Sequence, residues 1–455
     1  MKKSAQLFVA LPFALVLFTL ISLSVPATRA QSSSKTAKQP SSATASAPSA
    51  DNSTPQPRIT HYTLPPDRDQ KARAISKVRL RLVVVDLIYG LLVLFFILRA
   101  KLAAKYRDVA EKSSRNRFLQ ALIFSPLFVL TLDILSLPTG IYDNWIQRAY
   151  GLSIQSWPSW FWDWAKGELV SVIISTIFIV ILYAVIRKSL TRWWFYFWLV
   201  SLPIGLLVFF IQPLLIDPLF HKFEPLQQKD PALTAKLEEM VQRAGQDIPP
   251  DRMFWMGAGE KTTELNAYVT GFGASKRIVV WDTTIASMNT PQIVFVAGHE
   301  MGHYVLHHIQ KGMLFFAALS FVCFYIGYRL IGWVLARWGQ QWGIRSLDDW
   351  ASLPALLLLL SLITTVGQPI GNAFSRYVEH QADQYALEVT HGLIPDNGQV
   401  GAQAFNILGD VDLSNPDPSP LQIFLLYNHP SIPDRIQFSL TYDPWSQGRQ
   451  PEFVK

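Results

Sequence analysis

The chain has 455 residues, half of them hydrophobic and only 16% charged, with 15 Trp and 28 Phe. That composition excludes an ordinary soluble domain and fits several membrane spans. The formal net charge of +7 reads as loop Lys and Arg at a lipid interface, because no basic stripe interleaved with aromatics marks a nucleic-acid surface. Membrane lipid is therefore an expected partner and nucleic acid is not. The one cysteine, Cys323, rules out an intrachain disulfide.

Residues 1–30, "MKKSAQLFVALPFALVLFTLISLSVPATRA", combine a charged start, an apolar run and small residues at the end. They read as a signal peptide or as a first membrane span. Residues 31–58 are rich in Ser, Ala, Gln and Pro and are expected to be a disordered linker. Four apolar stretches follow within 59–216, near 82–98, 119–137, 168–186 and 193–216, each close to the ~20 residues a spanning helix needs. Asp86 and Asp133 fall inside the first two. A carboxylate at that depth is costly unless it meets a polar interior, so both are candidates to line a cavity, and Asp86 equally to reach the headgroups.

Residues 217–455 form the second unit, which includes two more spans near 313–336 and 351–372. Its polar part begins with a helical pattern from Pro231, with Leu233, Leu237, Met240 and Val241 on one face. Short strand-like runs follow, "DRMFWM" and "ELNAYVTGFGASKRIVVWDTT". Gly271, Gly273 and Ser275 divide the second into the halves of a hairpin.

Asn289-Thr290-Pro291 is a helix start, a polar cap followed by proline in the first turn. The helix it opens carries His299-Glu300-Met301-Gly302-His303. Residues four apart share a helix face, so both imidazoles can bind one metal ion. Glu300 can then serve as the base for a water activated there. Gly302 weakens a helix and points to close packing or to space for substrate. A catalytic zinc site wants a third protein ligand. "SRYVEHQADQYALEV" (375–389) offers Glu379, and Asp383 one turn on can hold a ligand histidine by a hydrogen bond. His307 and His308 read as interfacial polar residues, and His380 points about 100° away from Glu379 around its helix.

With these residues in view, the chain resembles the M48 family of integral-membrane zinc metalloproteases, most closely the CAAX prenyl protease 1 (Ste24-type) branch. The resemblance rests on His299-Glu300-x-x-His303 followed after two spans by "SRYVEHQAD", and on "PLFHKFEPL" (218–226), "ELNAYVTGFGASKRIVVWDTT" (264–284) and "NHPSIPDRI" (428–436). It implies one Zn2+ per chain on His299, His303 and Glu379, with Glu300 as general base and Asp383 beside a ligand. It places Asn266 and Ala267 on a substrate-holding edge strand. It also implies His429 and Arg435 in substrate or oxyanion contacts.

The expected fold is mainly α: a multi-span α-helical membrane protein with an inserted zincin-like α+β metalloprotease domain. The expected activity is peptide hydrolysis by a zinc-activated water. The substrate is a peptide or protein, either C-terminally prenylated (CAAX processing) or, in a broader quality-control protease, a faulty membrane protein. A non-catalytic transporter is disfavoured by the complete ligand-and-base set. The signal-like start and the linker suit a bacterial inner membrane. Lys and Arg crowd 99–117 and 187–192, which puts those loops in the cytoplasm and the metal domain outside, while six more in 68–81, just before a span, weaken that argument. The family resemblance implies a cytosol-facing site, so orientation stays open in the sequence.

Overall fold

The computed structural model describes residues 57–271 and 275–454. The expected signal peptide or first span at 1–30 lies outside the described residues, as does nearly all of the 31–58 linker.

Six helices among the described residues are long and apolar enough to cross a membrane. Four precede the metal domain: α1 (Pro66–Arg99), α3 (Arg117–Ala149), α4 (Trp157–Lys188) and α5 (Trp193–Ile211), with the short α2 (Leu102–Ser113) between the first two. α5 runs on through a π-helical turn, Gln212–Ile216, that contains Pro213. Prolines 126, 138, 203 and 369 sit inside spanning helices. Neighbouring helices re-satisfy the freed carbonyls of such prolines.

The helix ends fall into two sets. At one end Arg107 Nη1 meets Asp349 Oδ2 at 2.5 Å, and Arg187 lies 4.1 Å over the Trp350 ring, joining the 99–117, 187–193 and 340–352 connections. At the other end Arg68 pairs with Asp410, Ile154 N–H donates to Lys261 O at 3.2 Å, and Lys261 Nζ reaches Asp163 at 2.6 Å. The metal domain sits at this second end.

The two intramembrane aspartates differ. Asp86 is exposed on α1. Asp133 is 1% exposed and lies beside Glu168 of α4, so it meets a polar neighbour inside the helix bundle. An apolar cavity between α4, α5 and the two later spans is lined by Phe178, Cys323 and Leu356 among others. Leu356 and Glu379 are roughly 35 Å apart along one helix, so this cavity takes no part in the metal site.

The metal domain is built on a four-stranded sheet in the order β1-β2-β4-β3. β1 (Lys222–Pro225) pairs antiparallel with β2 (Met253–Gly257), β2 parallel with β4 (Arg277–Trp281), and β4 antiparallel with β3 (Ala267–Thr270). The last pair is the expected hairpin. β4 is apolar on both faces because both are covered: Ile278 and Val280 enter the main core, and Val279 and Trp281 pack with Met256 and Ala258. α6 (Pro231–Arg243), capped by Asp230, presents Leu233, Leu237, Met240 and Val241 to that core, all buried. Each such side chain contributes about 1.5–3 kcal/mol.

Three longer helices and the short Pro420–Leu426 complete the domain after α7 (Thr290–Val305) and the span α8 (His308–Val334). α9 (Leu353–Thr390) is one 38-residue helix that begins as the last span and ends beside α7. α10 (Asn397–Val411) and α11 (Ile432–Thr441) pack behind it.

Candidate metal centre

α7 begins with a reciprocal cap. Asn289 Oδ1 accepts from Gln292 N–H, and Gln292 Oε1 accepts from Asn289 N–H. Such a box satisfies two end donors that would otherwise be orphaned in a buried helix. The helix then closes on α9 through its glycines. A Cβ on Gly302 would stand 3.0 Å from Tyr385 Cβ, and one on Gly298 would stand 3.1 Å from Val389 Cγ1. Gly302 is thus explained by close packing. Tyr304 donates to Gly271 O at 2.5 Å, tying α7 to the β3–β4 turn.

This packing brings three buried donors together. His299 Nε2 and His303 Nε2 are 3.3 Å apart. His299 Nε2 lies 3.2 Å from Glu379 Oε2, and His303 Nε2 lies 3.6 Å from Glu379 Oε1. Ligands about 2.0–2.1 Å from one ion in a tetrahedron stand roughly 3.3–3.4 Å apart, so these edges fit a zinc-sized cation. Two lone-pair nitrogens and a carboxylate at that spacing, all buried, are stabilised by positive charge between them. Burial opposes charge on His299, yet the Asp383 and Glu379 carboxylates outweigh it and push its pKa up to about 9, so a metal ion there would bind in competition with a proton. Burial drives His303 down to about 3, which leaves its ring neutral as a ligand must be.

Around this set the expected residues take definite places. Glu300 is 6% exposed, and burial, with the nearby Glu379 charge, pushes it up to about 7 against the pull of His299. Asp383 Oδ1 accepts from His299 Nδ1 at 2.8 Å. Arg376, on the same helix, donates to the Ile423 and Tyr427 carbonyls. His429 brings Nε2 to 3.1 Å from Glu379 Oε2 while its Nδ1 meets Asn428 Oδ1 at 2.8 Å. Burial pushes His429 down to about 4.

Three residues take surroundings that the sequence did not announce. Arg435 was expected in a substrate or oxyanion contact. It is 2% exposed, held side-on by Asp383 and stacked 4.1 Å over Phe405, so its guanidinium is already committed. Asn266 was expected on the substrate-holding edge. Its N–H donates to Thr284 Oγ1, and its carbonyl accepts from Trp281 N–H and Thr284 Oγ1, all directed into the sheet. By the alternation of antiparallel pairs, Ala267 and Val269 are the residues whose backbone groups point outward from β3. His308 was expected to be interfacial, but it is 4% exposed, with Nδ1 3.1 Å from His303 Nδ1 and Nε2 3.2 Å from Gln381 Oε1. His307 is exposed and left-handed (φ +57°), and α7 has already ended at Val305, so it does not extend the ligand face. His380 is exposed and packs on Phe438, away from the centre.

A buried two-histidine, one-glutamate centre whose glutamate lies on a helix that continues a span defines an integral-membrane metallopeptidase. Comparison with known proteins agrees. Peptidase family M48 matches residues 227–441, and the CAAX prenyl protease N-terminal region, five membrane helices, matches 50–222. An uncharacterized metalloprotease, YhfN, of Bacillus subtilis (strain 168) is 36% identical over 345 residues, covering 76% of this chain and 79% of that protein. A CAAX prenyl protease 1 homolog of Arabidopsis thaliana is 27% identical over 327 residues, covering 71% and 74%. The crystal structure of S. mikatae Ste24p superposes with a TM-score of 0.70 at 24% identity, covering 83% of this chain and 89% of that one, and shares the fold. The chain belongs to peptidase family M48, with the membrane domain of the CAAX prenyl protease branch, and is a multi-pass membrane protein.

Proposed function

We propose that this metallopeptidase uses zinc and cuts extended polypeptide delivered from the membrane. The observation that carries the reading is the His299–His303–Glu379 triangle, with edges of 3.2–3.6 Å, whose Glu379 lies on a helix that emerges from a span. His299, His303 and Glu379 would hold a zinc ion, which would supply Lewis acidity and lower the pKa of water to about 7. Glu300 takes the water proton and passes it to the leaving amine. His429, with Nε2 turned toward the centre, faces the oxyanion. Asp383 accepts from His299 Nδ1–H and so keeps His299 Nε2 free as a ligand. A substrate strand adds to β3 through the outward groups of Ala267 and Val269.

A C-terminally prenylated substrate is favoured by one observation, the match of 50–222 to the CAAX prenyl protease N-terminal region. Relatives named CAAX prenyl protease 1 support it, whereas the relative from Bacillus subtilis carries no such name. The deciding experiment presents purified protein and its Glu300→Gln variant with matched peptides, with and without a prenyl group, and reads cleavage by mass spectrometry. Cleavage of both peptides by the wild type alone establishes the broader protease. Cleavage of only the prenylated one establishes the CAAX type. Equal cleavage by wild type and variant removes the mechanism.

The arrangement of charge supports one orientation in a bacterial inner membrane. Seven Lys and Arg in 99–117 and three in 187–192 share the end of the bundle away from the metal. At the metal end Arg68 and Arg73 pair with Asp410 and Asp417, and Arg79 donates to Asp412 O. By the positive-inside rule the denser set favours a metal domain opposite the cytoplasm, against the six Lys and Arg of 68–81 at the metal end and against the orientation implied by the family resemblance.

A further inference from the structure

The two histidine ligands are backed differently. His299 has the Asp383 carboxylate behind it, and His303 has another imidazole. The backbone makes this possible by a break. Had α7 continued unbroken, residue 307 would lie under His303, and residue 308 would point about 140° away. Instead α7 ends, His307 adopts a left-handed conformation, and α8 starts at His308. Such a conformation is uncommon and strained for a residue with a Cβ. The strained residue re-aims His308 onto His303, where it is buried.

Building on the zinc reading, we propose that His308 is a positioning residue that sets the ring state of His303, and that Gln381 sets that of His308. The directions follow from the end of the chain inward. Gln381 presents its carbonyl oxygen, Oε1, to His308 Nε2 at 3.2 Å, and an amide oxygen only accepts. His308 Nε2 therefore carries the hydrogen. In a neutral ring, that leaves His308 Nδ1 as an acceptor. His303 Nδ1, 3.1 Å away, must then donate, and His303 Nε2 is left with its lone pair facing His299 and Glu379. The Gln381 amide is itself held, with Nε2 donating to Tyr377 Oη at 3.3 Å. His308 opens one span and Gln381 belongs to the helix of the next, so both membrane helices reach the metal through this relay.

The test measures metal binding, not turnover. Zinc affinity of purified full-length protein is read by competition with a chromophoric chelator, and ligand geometry by the visible spectrum of the Co2+-loaded protein. His308→Leu removes the acceptor and is expected to weaken zinc roughly 10–100-fold, the usual effect of losing a partner behind a ligand, and to shift the Co2+ bands. His308→Asn puts an amide oxygen near the position of Nδ1 and is expected to restore most of the affinity and the wild-type spectrum. A folded His308→Leu protein with wild-type affinity and spectrum overturns the proposal. If His308→Leu does not fold, Gln381→Leu decides: weaker zinc than in His308→Asn supports the relay, and equal or tighter zinc overturns it. Wild-type protein that binds no zinc would sink the zinc reading itself, a result distinct from any difference among variants.

Discussion

The Arg435 guanidinium meets the Asp383 carboxylate side-on, Nε to Oδ2 at 2.8 Å and Nη2 to Oδ1 at 2.5 Å, with both side chains no more than 2% exposed. The pair stands directly behind His299, so the charge that steadies a metal ligand is itself neutralised within the core. Removing one partner of such a pair strands a buried charge and costs about 3–5 kcal/mol. Arg435→Leu is expected to lower the unfolding midpoint strongly. Arg435→Lys keeps the charge but not the planar fork and is expected to fold with weakened zinc. Thermal unfolding and zinc competition check both, and unchanged zinc affinity in Arg435→Lys argues against a positioning role.

The register of β3 predicts where a proline blocks substrate. Ala267→Pro removes an outward N–H from an edge strand, a place where proline is tolerated. It is expected to keep zinc and helicity while losing peptide cleavage. Asn266→Pro removes the inward bond to Thr284 and is expected to destabilise the domain instead. Normal turnover in Ala267→Pro would show that substrate does not add as a strand here.

Glu300 acts as a base only when ionised. Its pKa is raised to about 7 by burial, so the ionised fraction grows as pH rises through that value. A metal cation alongside favours the charged form and moves the transition downward. kcat/KM is expected to climb with pH and level off near or below 7, and Glu300→Gln is expected to lose about 100-fold or more. A variant within tenfold of wild type would falsify the assignment.

Gly302 tests the packing that assembles the centre. A Cβ there stands 3.0 Å from Tyr385 Cβ, so Gly302→Ala is expected to cost about 1–3 kcal/mol through overpacking and to weaken zinc by parting α7 from α9. Gly332, with open space around it, is the control: Gly332→Ala is expected to be neutral or stabilising. Equal unfolding midpoints for the two variants contradict this account.

The orientation is checked by reporters fused in the 150–156 and 189–192 connections. A periplasm-active reporter is expected to work in the first and a cytoplasm-active one in the second. The reverse pattern would place the metal domain in the cytoplasm.

Much of this molecule was legible from local pattern. The six spans are runs of apolar residues whose length is set by bilayer thickness. The Asn289 cap and the His299/His303 face follow from helix geometry alone. Glu379 was identified because a zinc site lacks a third ligand until one is found. Tertiary structure decided what depends on contacts between distant segments. Arg435 turned from a substrate contact into the partner of Asp383, 52 residues away. Asn266 turned inward because Thr284 and Trp281 claim its backbone. His308 became a partner of His303 because the chain breaks at His307, and no periodicity announces a break made by one left-handed residue. The sequence by itself determined the ligand types and their helical spacing, since those are properties of neighbours along the chain. Which hydrogen bonds hold those ligands was decided only when α7, α9 and α11 packed, because burial compels each polar group to find a partner wherever the fold has brought one.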